Sequence, residues 1–167
     1  MKLLLLILIL IVFLIFNKKQ NKMIYLKSNI DKQEYLVRDL PDAQKAANML
    51  EKIKQNTMKL VEYLNKNDNK NDKDDDKNEF SKHIDQLTTR IKTTIFSENS
   101  GDNDYTSYSV SKGEELVFCL RSKHKDKMHE LNLLMYVVLH EISHIACPVY
   151  GHGPLFKKIF AYFTRKA

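Results

Sequence analysis

The apolar positions of this 167-residue chain change their spacing from stretch to stretch, and each spacing predicts an element. Residues 3–16 are apolar without a break. Two short runs at 24–26 and 35–37 are rich in β-branched and aromatic residues and suit short strands. From 41 to 66 the apolar or small residues Ala43, Ala47, Leu50, Ile53, Thr57, Leu60, Val61 and Leu64 step by three and four. That period predicts a long amphipathic helix, with Asp39 and Pro41 as its start signal. The helical period resumes over 79–96 in Phe80, Ile84, Leu87, Ile91 and Ile95, leaving His83 off the stripe on an exposed face. Residues 97–104 are turn-rich.

Residues 105–121 read as a hairpin. The turn is Ser111, Lys112, Gly113, Glu114, where Gly113 can take a positive φ. The second strand, 115–121, sets Leu116, Phe118 and Leu120 on one face and Cys119 on the other. Residues 130–147 are apolar on most sides, which predicts a central, buried helix ended by Pro148. A last helix over 155–165 buries Leu155, Phe156, Ile159, Phe160 and Phe163.

The long apolar run at the start sets the expected address. Fourteen helical residues span about 21 Å, less than the ~30 Å hydrocarbon core. A cleaved signal peptide needs small residues at its end, and Asn17, Lys18, Lys19, Gln20 supply none. A terminal core helix is rarely apolar all round. An uncleaved anchor fits best, with Lys2 and Lys18 reaching the interfaces. Lys18, Lys19, Lys22 and Lys27 follow the run, so the positive-inside rule keeps the remainder on the cytoplasmic side. The expected organisation is a membrane anchor at 1–22 and one catalytic domain at 23–167. Met23 is also placed to start a form without the anchor. Residues 65–78 consist of Asn, Asp and Lys, which bury no apolar area and predict a disordered loop.

Composition changes this picture little. The formal net charge of +6 suits acidic partners and does not establish nucleic-acid binding. The basic loop at 121–127 fits a solvated surface better than a nucleic-acid or lipid contact, and its His124, like His129 beside it, reads as solvated. Two cysteines, Cys119 and Cys147, give no disulfide framework and agree with a reducing compartment.

The chemistry lies in the buried helix. His140, Glu141, Ile142, Ser143 and His144 form an H-E-x-x-H pattern, with His152 eight residues on in a Gly-His-Gly-Pro turn. Positions 140 and 144 lie one turn apart on one helix face, where two imidazoles can share a Zn2+ ion. His152 offers a third ligand, leaving one position for water, and Glu141 is placed as general base. Polar groups on the most buried helix are costly unless they are paired or hold a metal, which argues against a merely structural role. Cys147, at the helix end, fits the core better than the metal. A substrate backbone is expected along an edge strand around 116–121.

Three stretches carry a family resemblance. His140 to His144 matches the zincin helix; Gly151, His152, Gly153, Pro154, Leu155, Phe156 is similar to a GHGPxF motif that supplies a third histidine; and residues 109–121 resemble the strand before the helix in WLM proteins. The chain resembles the WLM/SprT-type zinc metallopeptidases, the class of Wss1 and Spartan. With YLVRDLP at 35–41 and CLRSK at 119–123, it is most similar to the small WLM-like proteins of large DNA viruses. Ser111 stands where WLM proteins tend to carry Asn. The resemblance implies an α+β zincin-like domain with a small antiparallel sheet, here behind a transmembrane helix. It implies Zn2+ held by His140, His144 and His152, catalysis by Glu141, and a protein or peptide substrate. Two other functions are compatible: a zinc-stabilised membrane adaptor without turnover, and a protease acting on proteins crosslinked to DNA.

Overall fold

The computed structural model describes residues 22–68, 75–102, 106–123 and 125–167, and gives the backbone alone for 67, 68 and 75–78. The elements run β1 (Met23–Lys27), β2 (Glu34–Arg38), α1 (Ala43–Asp68), α2 (Asp75–Ile91), β3 (Ile95–Glu98), β4 (Tyr108–Val110), β5 (Glu115–Phe118), α3 (Leu131–Ala146) and α4 (Pro154–Lys166). The class is α+β. The two early apolar runs pair antiparallel as β1 and β2, with Ile24 opposite Val37. The predicted stripe on α1 is buried at Ala43, Ala47, Leu50, Ile53, Thr57, Val61 and Leu64. α1 begins after Leu40, whose carbonyl accepts the Ala43 amide. α1 and α2 extend into the Asn/Asp/Lys stretch from both ends; residues 69–74, at its centre, lie outside the described residues.

One small antiparallel sheet was expected, and two sheets form. The second has three strands in the order β3-β5-β4, with β3 parallel and β4 antiparallel to β5. The helix expected to reach 96 therefore stops at Ile91. Pairing with β5 overrides the helical period, because the Ile95 amide bonds Glu114 O and the Thr94 hydroxyl donates to Gly113 O at 2.6 Å. Phe96 is buried while Ile95 faces solvent. The expected substrate edge is also corrected: β5 is the middle strand, flanked on both sides, and β4 lies at an edge.

Leu116, Phe118 and Leu120 are fully buried, whereas Cys119 on the opposite face is half-buried. α3 packs against α1, α2, α4 and β4, so the most apolar helix lies at the centre of one continuous core. Against it α4 buries Phe156, Ile159, Phe163 and also Tyr162, which the sequence pattern leaves out; Leu155 and Phe160 are only partly buried.

A buried ionic cluster ties the sheets to α1. Arg121 Nε donates to Glu98 Oε1 at 2.7 Å, with both side chains 1% exposed. The same guanidinium bonds Asp42 just before α1. The other oxygen of Glu98 accepts the Arg38 amide at 2.9 Å, and the Arg38 side chain pairs with Asp126 at 3.0 Å. Arg121, expected in a solvated basic loop, is thus a core residue. The rest of that loop is closed by a bridge between Arg121 and Met128.

The expected localisation, a single-pass membrane protein with a cytoplasmic-facing domain, is corrected. No helix of the described residues is long and apolar enough to cross a membrane. Their most apolar helix, α3, has 16 residues, short of the roughly 20 a span requires, and carries His140, Glu141 and His144. The apolar run at 3–16, on which that expectation rested, lies outside the described residues.

Replacing Arg121 with Ala strands the Glu98 carboxylate in the core. We expect a stability loss of about 3–5 kcal/mol in urea unfolding; a loss under about 1 kcal/mol would show the cluster to be peripheral.

Candidate active site

α3 forms because Leu, Met and Ala supply helix propensity at its ends and its apolar residues have core on most sides. It stops at Cys147, which takes an extended conformation (φ −79°, ψ 123°), as a residue before proline prefers. The chain then loops through 148–152 and re-enters helix at α4, with Gly153 as cap and Pro154 in the first turn. Gly151 makes the return bend at φ 79°, a left-handed conformation.

This route brings the third histidine back over α3. The Nε2 atoms of His140 and His144 are 3.2 Å apart, and His152 Nε2 lies 3.0 Å from the first and 3.1 Å from the second. Protons alone do not satisfy such a triangle, since each imidazole nitrogen is either a donor or an acceptor. A tetrahedral Zn2+ with arms of ~2.05 Å sets neighbouring donors about 3.3 Å apart, close to the spacing here. Among the described residues, these three histidines are the group that could hold a metal ion.

The surroundings suit that use. Burial, with a smaller contribution from His152, lowers the pKa of His140. His144 falls to about 4 through burial, its two histidine neighbours and Lys112. Both rings are therefore neutral near pH 7, the state a metal ligand requires. Phe156 forms the floor beneath all three, stacked on His144 at 4.2 Å between ring centres and meeting His140 and His152 at 5.0 and 4.8 Å. The sequence shows Phe156 only as an apolar helix position; its place four residues after His152 was the available signal.

Glu141 is 4% exposed, and burial pushes its carboxyl up to about 7. It shares with the three histidines a cleft of about 290 Å³. One wall is the β4–β5 hairpin, through Ser107, Tyr108, Ser109 and Lys112, and the other is the loop at Tyr150 and Gly151.

The remaining candidates lie elsewhere. Cys147 is fully buried and outside the histidine group. His129 is outside it too, and His124 lies outside the described residues. His83 is half-buried rather than exposed: its Nδ1 sits 3.1 Å from Ala146 O, at the end of α3. Gln86, one turn on, donates to Ile145 O at 2.7 Å.

No family model matches the chain. It is 39% identical over 162 residues to uncharacterized protein R325 of Acanthamoeba polyphaga mimivirus, an alignment covering 97% of this chain and 79% of that protein. It is 34% identical over 65 residues to uncharacterized protein 042R of Invertebrate iridescent virus 3, covering 39% of this chain and 40% of the relative. Among solved structures it is similar to a mutant of Wss1 from S. pombe, with a TM-score of 0.49 and 16% identity over 78% of this chain and 92% of that one. Wss1 from Saccharomyces cerevisiae aligns with a TM-score of 0.40 and 19% identity, over 58% of this chain and 80% of that one.

The donor geometry predicts one Zn2+ per chain after removal of metal by chelator and titration. His152→Ala should weaken zinc affinity by more than about tenfold; unchanged affinity would show that His152 is not a ligand.

Proposed function

The chain belongs to the family of mimivirus protein R325, and with that as premise we propose that it is a zinc-dependent metalloendopeptidase. The relative is itself uncharacterized, so the reading rests on the site. The observation that carries it is the meeting of three imidazole nitrogens, 3.0–3.2 Å apart, beside a buried carboxylate.

In this reading His140, His144 and His152 hold the ion through Nε2. Three protein ligands leave a position open, the pattern of catalytic rather than structural zinc. When bound, Zn2+ supplies Lewis-acid activation of water and polarisation of the scissile carbonyl.

Glu141 takes the proton of the attacking water and returns it to the leaving amine. A carboxyl pushed up to about 7 by burial is suited to both transfers near neutral pH. The apolar floor of Phe156 lies beneath that exchange.

β4 is the outermost strand of its sheet among the described residues, a position from which a strand can add an extended peptide. Tyr108 and Ser109 of β4, with Ser107 just before it, also line the cleft, so a chain added along β4 passes the histidines and Glu141. That placement favours cleavage within a chain. A zinc-stabilised adaptor without turnover has no use for a buried carboxylate beside its metal ligands, and Glu141 is the residue that separates the two readings.

Glu141→Gln should retain zinc and lose about 10²–10⁴ in kcat on an unfolded protein substrate. Cleavage at the parent rate would exclude Glu141 as the base. Removal of zinc by chelator should abolish cleavage, and readdition should restore it.

A further inference from the structure

The loop that delivers His152 has little to hold it. Val149 and Tyr150 are exposed, at 49% and 84%, and Gly151 has nothing within 4 Å of where a Cβ would stand. Yet this loop sets the position of one of the three converging nitrogens. A side chain from outside the loop reaches its backbone. Lys112 Nζ donates to Cys147 O at 2.7 Å and to Val149 O at 2.8 Å. The ring of Tyr150 covers the same ammonium at 4.3 Å from its centroid.

Lys112 is itself firmly placed. Ser111 and Lys112 take φ of 46° and 58°, and the Gly113 amide bonds Val110 O, closing the tight turn between β4 and β5. The turn is fastened from outside as well. Arg90 donates to Lys112 O and Thr94 to Gly113 O. Gly113 approaches α3 so closely that a Cβ there would lie 3.1 Å from Ile145.

A rigid turn therefore carries a cation whose hydrogen bonds and cation–π contact end on the loop between the second and third histidines. From this geometry we infer that Lys112 is a positioning residue: it clamps the 147–150 backbone so that His152 is held over His140 and His144 before metal arrives. A loop already ordered loses less conformational freedom when the ion binds. In this role Lys112, which also lines the cleft, acts through His152. Because the same turn joins β4 to β5, the clamp also fixes the substrate edge relative to the third ligand. The inference rests on the zinc reading of the histidine cluster.

The test is zinc affinity of the full chain by chelator competition, for the parent, Lys112→Met, Lys112→Arg, His152→Ala and the double variant Lys112→Met/His152→Ala. Lys112→Met keeps the alkyl stem and removes the donors, and should weaken zinc binding by about 10–100-fold. Lys112→Arg retains two N–H groups for the two carbonyls and should recover part of that loss. In the His152→Ala background, Lys112→Met should add no further loss, because a clamp acting through His152 has nothing left to position. Thermal unfolding of the zinc-free proteins should leave Lys112→Met within a few degrees of the parent, which separates a positioning role from collapse of the hairpin. Unchanged zinc affinity in Lys112→Met, or the same fold loss with and without His152, overturns the inference. A parent chain that binds no zinc overturns the zinc reading instead.

Discussion

α3 meets two opposed demands. It is the helix most fully surrounded by core, and it carries two histidines and a carboxylate. Burying these groups is costly, and the fold manages the cost by side. Leu134, Val138, Ile142 and Ile145 face the interior, while His140 and His144 turn toward a flank open to the cleft. Glu141 remains inside that boundary, where low polarity raises its pKa. The same burial that stabilises the helix thus tunes the chemistry at its edge.

The sheets matter because they bring that open flank a wall. β4 reaches the cleft only because β5 is held between it and β3, and β5 continues directly into Leu120 and Arg121. Arg121 then joins Glu98 at the end of β3 to Asp42 at the start of α1. A buried ion pair adds little net stability over an apolar substitute. What it provides here is register: the charges meet only when β3, β5 and α1 are mutually in place, and so it selects one arrangement of the wall.

Much of the site is legible in the sequence because its geometry is local. A spacing of four on a helix puts His140 and His144 on one face whatever surrounds them, and a glycine on each side of His152 marks a turn. The hairpin is legible for the same reason. What escapes is non-local. β3 is hidden because its partner lies 20 positions on, at Ile95 opposite Glu115, and four residues extend the helical stripe as readily as they form a strand. Arg121 looks like the start of a basic loop because its partners, Glu98 and Asp42, are far away in sequence. His83 looks exposed because the carbonyl it meets belongs to another helix. The mimivirus relative agrees with the resemblance to proteins of large DNA viruses, but an uncharacterized relative adds no chemistry to what the residues themselves state.

The C-terminal end of α3 shows why these distant contacts bear on function. A helix leaves its last carbonyls without internal partners, and water is their usual recourse. Here protein side chains take them in sequence order. Gln86 meets Ile145 O, His83 meets Ala146 O, and Lys112 meets Cys147 O before going on to Val149 O. The first two come from α2 and the third from the hairpin, so the helix terminus becomes the point where three elements are joined. His144 lies one turn before that point and His152 one loop after it. A shift of α2 or of the hairpin would therefore change the angle at which the chain leaves α3, and with it the distance between the two histidines. The geometry of the histidine triangle is consequently a property of the tertiary structure, although all three histidines belong to a stretch of 13 residues.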